Sequence, residues 1–201
     1  MSYLMNIVIW FIIILGIIAL VSWFFTVYNG LVQVRENIKK SWANIDVLLM
    51  QRSDEIPKLI KTVKAFATHE KEMFDSVMDA REKYLGANSV GEKADADNML
   101  SGALKSVFAL SESYPELRSN ENFIQFQNRI SGLENEIADR REFYNESVNN
   151  YNIRIQSLPD VWIAGPMGLQ QEEMFEVPID KKEDVEIDLD NLYGNKGSDQ
   201  Q

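Results

Sequence analysis

The N-terminal part of the chain carries one unbroken apolar segment, Ile7 to Val27, which contains no charged residue. At 1.5 Å of rise per residue, a helix of this length spans about 31 Å, close to the hydrocarbon thickness of a bilayer. Amphipathic aromatic rings lie near both of its ends, where the interfacial belts of a spanning helix form. These rings belong to Trp10, Trp23 and Tyr28. The pattern predicts a transmembrane helix over residues 7–27, within an anchor of residues 1–27.

A cleaved signal peptide is the competing interpretation of this segment. It would begin with basic residues, have a shorter apolar region and end at a small-x-small cleavage site. No Lys or Arg precedes Ile7, and Tyr-Asn-Gly-Leu follows Val27. A buried core helix is also disfavoured, because the segment is apolar on every face. The anchor interpretation is therefore preferred.

After the anchor, apolar residues recur at spacings of three and four, which places them on one face of a helix. They are Leu31, Val34, Ile38, Trp42, Ile45 and Leu49. No break separates them from the anchor, so the membrane helix is expected to run into the first domain helix. Residues 51–57 are interpreted as a junction in which Ser53 or Asp54 caps a new helix and Pro57 fills its first turn. A kinked continuous helix is the alternative.

The same periodicity predicts two more helices in the middle of the chain. One apolar stripe runs from Ile56 to Tyr84 and ends before a loop over residues 86–91. The next helix covers about Asp95 to Ser113, and Tyr114-Pro115 ends or bends it.

The last long helix has the most regular stripe in the chain. Ser119 or Asn120 caps its start, Pro159 ends it, and its length would be about 55 Å. Its apolar residues form a heptad seam over almost five repeats. They are Phe123, Phe126, Ile130, Leu133, Ile137, Tyr144, Val148, Tyr151 and Ile155. Polar Arg140 or Arg141 fills the one gap in this seam.

Four apolar-striped helices joined by short breaks bury their stripes most simply as a bundle. The predicted fold class is all-α, with an N-terminal transmembrane helix that continues into an antiparallel four-helix bundle over residues 28–159. Residues 160–175 are apolar but aperiodic and are expected to wrap onto the bundle or onto a partner. Residues 176–201 hold eight acidic residues against three Lys and are interpreted as a flexible acidic tail. Within this tail, residues 185–190 alternate and are compatible with a strand.

Charge limits the partners and suggests an orientation. The net charge of -11 disfavours nucleic acid, and it disfavours a soluble part that lies flat on anionic lipid. The absence of cysteine excludes disulfides, thiol catalysis and Cys-ligated metal. Arg35, Lys39 and Lys40 follow the span and no basic residue precedes it, so the positive-inside rule favours a cytoplasmic C-terminal domain over an extracytoplasmic one.

The sequence contains no recognisable set of catalytic, cofactor-binding or metal-binding residues. His69 is followed by Glu70, but a zinc H-E-x-x-H motif needs a second histidine where Met73 stands. One histidine also excludes a His-rich metal site and a Ser-His-Asp triad. Neither glycine of the 86–91 loop begins a phosphate-binding motif. The chain is therefore interpreted as a non-enzyme without a small-molecule substrate, and His69 as a packing or carboxylate-pairing residue.

Several polar residues lie on the apolar stripes or at the junction. Tyr-Asn pairs occur at residues 28–29, 144–145 and 151–152, and the last two are seven apart, so they share one helix face. Candidates for buried ion pairs between helices are Asp46, Arg52, Asp54 and Arg81. Because buried polar groups are normally paired, these residues are interpreted as contacts that fix the bundle rather than as a ligand site. Ordinary surface pairs are expected among Glu134, Glu136, Arg140 and Arg141.

Taken together, these residues resemble the LemA family of bacterial membrane proteins from Tyr28 to about Phe175, with the acidic tail outside the shared pattern. The similar segments are Tyr28-Asn29-Gly30-Leu31-Val32, Trp42-Ala43-Asn44-Ile45-Asp46-Val47, Arg52-Ser53-Asp54-Glu55-Ile56-Pro57, Val63-Lys64, His69-Glu70, Ala80-Arg81, Glu112-Ser113-Tyr114-Pro115, Asn120 with Phe123, Tyr144-Asn145 and Tyr151-Asn152. The resemblance implies an anchored antiparallel helical bundle rather than a chemistry. It also implies a loose link to membrane organisation, because one branch of the family is associated with magnetosome membranes.

The functional expectation is a membrane-anchored helical scaffold that contacts the lipid bilayer and forms a homo-oligomer, which would bury the apolar residues of the Trp162 to Phe175 segment. The alternative is a membrane-tethered sensor or adaptor that binds a protein partner through the acidic tail or the helix faces.

Overall fold

The structure is a computed structural model that describes residues 2–175, with side chains described from Tyr3 onward. Over these residues the chain forms helices and no strands, so the all-α prediction is confirmed. The helices are α1 (Ser2–Lys64), α2 (Lys71–Gly86), α3 (Val90–Ser113), α4 (Pro115–Arg118), α5 (Glu121–Gln156) and α6 (Val161–Ala164). The expectations for the acidic tail, residues 176–201, lie outside the described residues.

The first helix contains the membrane anchor and contributes to the bundle core. Its residues from Tyr3 to Thr26 are exposed, and Val27 is the first residue that packs inside the protein. Within the described part of the chain, α1 is the helix that is long and apolar enough to span a bilayer, with a mean hydropathy of 2.9 in its most apolar window. An apolar surface of this size needs lipid around it. The helix then continues without interruption to Lys64, about 94 Å in all for its 63 residues.

The predicted junction at residues 51–57 is wrong, and the alternative of one continuous helix is correct. Pro57 lies inside α1, and neither Ser53 nor Asp54 caps a new helix. Arg52, Ser53 and Glu55 are buried instead, at 2%, 0% and 5% exposure. These polar residues resemble a helix start in the sequence, but Arg52, Glu55 and the carbonyl of Ser53 each contact a side chain on another helix.

The predicted stripe from Ile56 to Tyr84 is divided between two helices. The chain turns at residues 65–70, so α1 ends at Lys64 and α2 begins at Lys71. The signal for this turn is the eight-residue gap between Phe66 and Phe74, which contains Thr68, His69 and Glu70.

The starts of α3 and α5 are capped by side chains. α3 begins at Val90, five residues before its expected start, because Ser89 and Glu92 form a reciprocal capping box. α5 begins as predicted after Asn120, whose Oδ1 accepts a hydrogen bond from the Phe123 amide at 3.0 Å.

The four long helices alternate in direction. α1 and α5 are antiparallel, because residues later in α1 contact residues earlier in α5. The contacting pairs are Gly30 with Arg154, Trp42 with Tyr144, and Glu55 with Arg129. α5 packs along α1, and α2 packs along α3. α1 leaves the membrane, so α5 runs back toward it and the chain turns at α6 beside the membrane end of α1.

The bundle has two apolar cores stacked along its axis. We call them the membrane-side core and the distal core. The membrane-side core includes Val27, Leu31, Ile45, Leu49, Tyr144, Val148, Tyr151, Ile163 and Phe175. The distal core includes Ile56, Leu59, Val63, Phe74, Val77, Leu100, Leu104, Phe123 and Ile130. Charged side chains lie at the level between the two cores.

Candidate functional site

The charged level between the two cores is built from three of the long helices. Arg52 on α1 and Arg141 on α5 both donate to the carboxylate of Asp97 on α3, one to each oxygen. Glu134 on α5 is the fourth member, with its Oε1 3.7 Å from Nη1 of Arg52. We call these four residues the ionic layer. It joins α1, α3 and α5 through charge-assisted hydrogen bonds, which are stronger than neutral ones.

Burial sets the electrostatics of the ionic layer. The side chains of Arg52 and Asp97 are 2% and 0% exposed. Asp97 is the buried counter-charge that both guanidinium groups share, and Glu134 adds a second carboxyl group that is partly exposed. Burial raises the pKa of Glu134, although the charge of Arg52 opposes the shift. Burial lowers the pKa of Arg141, and here the charge of Asp97 opposes the shift.

Not every polar atom at this level has a partner. Four buried side-chain atoms make no hydrogen bond to a residue that the structure describes. They are Arg52 Nε, Ser53 Oγ, Glu134 Oε1 and Arg141 Nε. Ser101 Oγ accepts from Arg52 Nη1 at 2.9 Å, so the layer also uses neutral groups.

Only some of the predicted ion-pair residues behave as expected. Arg52 is in a buried ion pair, but its partner Asp97 is not among the predicted residues. Asp46 pairs with Lys93 of α3 at the bundle surface. The sequence predicts an ion pair for Arg81, but its Nε instead donates to the carbonyl oxygen of Ser53 at 2.9 Å. Asp54 is exposed, so its prediction is wrong.

The predicted surface pairs are half right. Glu136 and Arg140 form an exposed pair at 3.9 Å. Glu134 and Arg141 instead face Arg52 and Asp97 inside the bundle. The heptad gap does contain the signal, because Arg141 stands four residues after Ile137 and three before Tyr144 on the buried seam.

Asparagine side chains on α5 hold the last described residues in place. We call residues 171–175 the strap. Asn145 donates from Nδ2 to the Phe175 carbonyl at 3.0 Å and accepts from the Phe175 amide at 2.7 Å. Asn152 makes the same pair of bonds with Glu172, both at 2.9 Å. Each asparagine amide makes the two backbone hydrogen bonds that a neighbouring strand would make. Both side chains therefore have a structural role, but they hold the strap and not another helix of the bundle.

The strap ends in an aromatic pocket beside the ionic layer. The Phe175 ring is 1% exposed and lies 5.8 Å from the ring of Trp42, with the Arg141 guanidinium 4.4 Å from its centroid. The Tyr144 hydroxyl donates to the Glu173 carbonyl at 2.9 Å. Burial, with the charges of Glu172 and Glu173, raises the pKa of Tyr144 to about 12, so the hydroxyl stays protonated and remains a donor.

A second polar contact ties α1 to α2 and α3 nearer the membrane. Lys93 pairs with Asp46 and lies over the rings of Trp42 and Tyr84 at 5.7 and 5.6 Å. The Tyr84 hydroxyl lies 3.3 Å from Asp46 Oδ1, and burial together with this carboxylate raises the pKa of Tyr84. The contact therefore keeps a neutral tyrosine, an ammonium and a carboxylate together.

His69 lies exposed in the turn between α1 and α2. Its neighbour Glu70 makes the contact instead, accepting from the Tyr114 hydroxyl at 3.2 Å. Over residues 2–175 no group of three or more His, Asp or Glu side chains is placed to hold a metal ion.

Comparison with known proteins identifies relatives of this architecture. Residues 41–189 match the sequence profile of the LemA family. Magnetosome protein MamQ 2 of Paramagnetospirillum magneticum is 25% identical over 189 residues, covering 81% of this chain and 70% of the relative. Magnetosome protein MamQ of Magnetospirillum gryphiswaldense is 24% identical over 188 residues, covering 81% and 69%. The profile match continues past Phe175, so the expectation that the family pattern stops there is wrong.

Proposed function

Because this chain belongs to the LemA family and carries a membrane helix, we propose that it is a non-enzymatic scaffold that organises membranes or membrane-protein assemblies through self-association. The observation that carries this proposal is the unbroken course of α1 from the bilayer into the bundle. A tethered enzyme would work equally well on a flexible linker, whereas a scaffold needs its domain held at a fixed angle to the membrane.

The rigidity of α1 is supported by the contacts on its membrane-distal half. α5 packs antiparallel along it, from Gly30 with Arg154 to Glu55 with Arg129. An isolated helix of this length would bend freely, but packing of this kind fixes its direction. Any rotation of the anchor is therefore transmitted to the bundle.

The non-enzymatic part of the proposal is supported by the character of the ionic layer. Its carboxylate with the least exposure, Asp97, is already paired with two guanidinium groups. Carboxylates paired in this way are structural far more often than catalytic. A catalytic carboxylate would need a perturbed pKa and a position open to a substrate.

Self-association is tested on the full chain extracted in detergent, by size-exclusion chromatography with light scattering at micromolar concentration. A protein mass of two or more copies supports the scaffold. A strictly monomeric particle refutes the self-association. The relatives named as magnetosome proteins make membrane assembly a reasonable context for the scaffold.

The strap favours a second candidate function, an adaptor that captures a protein partner. Phe175 is fixed beside Trp42, so the acidic residues after it begin at a defined point on the bundle. Deletion of residues 176–201 separates the two functions. If the deletion abolishes partner capture and leaves self-association intact, the adaptor function is supported. If both partner capture and self-association survive the deletion, the tail has no role in either.

The side of the membrane is also a proposal. The basic residues Arg35, Lys39 and Lys40 that follow the span favour a cytoplasmic bundle. A topology reporter fused after Gln201 tests this orientation, because cytoplasmic activity of the reporter supports it and extracytoplasmic activity refutes it.

A further inference from the structure

The turn between α5 and α6 exposes apolar side chains at the membrane end of the bundle. Leu158 is 69% exposed and Trp162 is 67% exposed. From Ser157 to Gln170 the only charged residue is Asp160, which is buried and paired with Arg154. A surface turn that faces water normally carries more charge than this.

Two contacts fix the height of this turn relative to the membrane. Arg154 donates from Nη1 to the carbonyl oxygen of Gly30 at 3.3 Å, and a Cβ at Gly30 would lie 2.5 Å from the same guanidinium. Gly30 is three residues beyond Val27, about 4.5 Å along α1. α6 packs against α1, and its Ile163 belongs to the same core as Val27.

The turn therefore lies level with the end of the span. α5 runs toward the membrane, so Leu158 lies beyond Arg154 on the membrane side. The headgroup region of a bilayer adds roughly 5–8 Å on each side of the hydrocarbon. Tyr28 of α1, 39% exposed, lies two residues from Gly30, about 3 Å along the helix, and so is near the same level.

We propose that Leu158 and Trp162 insert into the interfacial region of the same bilayer that α1 spans, giving the bundle a second membrane contact. Tryptophan is enriched at this depth because its ring is apolar and its N–H is polar. The near-absence of charge between Ser157 and Gln170 favours a neutral interfacial contact, so the insertion does not depend on anionic lipid. With two contacts, the bundle has a defined tilt as well as a fixed attachment.

The absence of native cysteine makes a direct test simple. The full chain carrying Leu158→Cys is labelled with a nitroxide and placed in phosphatidylcholine nanodiscs. Its accessibility to oxygen and to a water-soluble nickel chelate is measured by power-saturation electron paramagnetic resonance. The matched controls are Phe143→Cys, an exposed α5 position well above the membrane, and Tyr28→Cys at the end of the span.

We expect high oxygen and low nickel accessibility at position 158, as at position 28. The ratio of oxygen to nickel accessibility should be severalfold higher than at position 143, and Trp162→Ser should lower it. Nickel accessibility equal to that at position 143 overturns the proposal. Low accessibility to both reagents also overturns it, because the turn would then be covered by protein, such as a second copy of the chain. The reciprocal label Trp162→Cys gives the same readout if Leu158→Cys does not fold.

Discussion

The Nε atom of Arg81 on α2 lies 2.9 Å from the carbonyl oxygen of Ser53 on α1 and donates a hydrogen bond to it. This carbonyl is the one that Pro57, four residues later, leaves without its helical partner, because proline has no backbone N–H. Ser53 is 0% exposed, so water cannot take the place of that partner. The contact explains how α1 passes through a proline without ending there.

The first prediction is a coupling between Arg81 and Pro57. Arg81→Met leaves the buried Ser53 carbonyl unpaired and should lower the free energy of unfolding by about 1–3 kcal/mol. In a Pro57→Ala background the backbone amide restored at position 57 supplies a new donor, so the same change should cost less. Chemical denaturation of the wild type, both single variants and the double variant gives the coupling energy. Equal costs of Arg81→Met in the two backgrounds would show that Arg81 does not compensate for the proline.

A second prediction concerns Asp97. Asp97→Asn leaves the guanidinium groups of Arg52 and Arg141 buried around a neutral amide. Removing one partner of a buried pair costs about 3–5 kcal/mol, so Tm should fall by on the order of 10 °C. Thermal unfolding followed by circular dichroism measures the loss.

Two control variants make this result specific. Glu136→Gln breaks the exposed pair with Arg140 and should change stability by less than about 0.5 kcal/mol. The quadruple variant Arg52→Met, Asp97→Leu, Glu134→Gln, Arg141→Leu removes all four charges of the ionic layer together and should be more stable than Asp97→Asn. A quadruple variant no more stable than Asp97→Asn would mean that packing, and not unpaired charge, causes the loss.

The third prediction is a pH dependence at Glu134. Burial raises its pKa in the folded protein, so the fold favours the protonated carboxyl group. The stabilisation from this group is fully present below its ordinary pKa and is lost as pH rises through the raised pKa. Glu134→Gln mimics the protonated form, so it should raise Tm at pH 7.

This gain should shrink as pH falls from the raised pKa to below the ordinary glutamate value. Melting curves of the two proteins across that range test the sign. A Glu134→Gln variant that is less stable than the wild type at pH 7 would show that the Arg52 contact outweighs the burial of Glu134.

The fourth prediction concerns the strap. Asn145→Ala removes both hydrogen bonds to Phe175, and Asn152→Ala removes both to Glu172, at about 1–3 kcal/mol for each pair. Hydrogen exchange of the Phe175 and Glu172 amides should accelerate in the corresponding variant. The exposed Asn150→Ala on the same helix is the control. Unchanged exchange in the double variant would mean that the aromatic pocket alone holds the strap.

The fold can be predicted from periodicity wherever apolar residues alone decide it. The anchor and the long α5 seam follow directly from residue spacing, and residue type limits the N-cap of α5 to Ser119 or Asn120, of which Asn120 is the cap. The junction predicted at Pro57 is wrong because the compensating donor comes from Arg81, which is distant in the sequence and lies on another helix. The turn at residues 65–70 is missed because the apolar spacing resumes at Phe74, so the eight-residue gap after Phe66 is taken as part of one stripe.

The ionic layer shows why polar sites are harder to predict than cores. Arg52, Asp97 and Arg141 each occupy a stripe position three or four residues from apolar neighbours, which marks them as inward-facing. Spacing does not say which of them meet, since that depends on how the helices are aligned. The spacing of Asn145 and Asn152 likewise shows that they share one helix face. Their partners are backbone atoms of the strap, which no side-chain pattern identifies.

The most direct test of the central claim, that the anchor and the first helix of the bundle form one rigid helix, is hydrogen exchange by mass spectrometry on the full chain in lipid nanodiscs. We expect continuous protection of α1 amides from the membrane through Val27, Leu31 and Ile38 to Lys64. A band of rapid exchange between Val27 and Val34, with protection on both sides, would reveal a hinge at the membrane surface and contradict the scaffold.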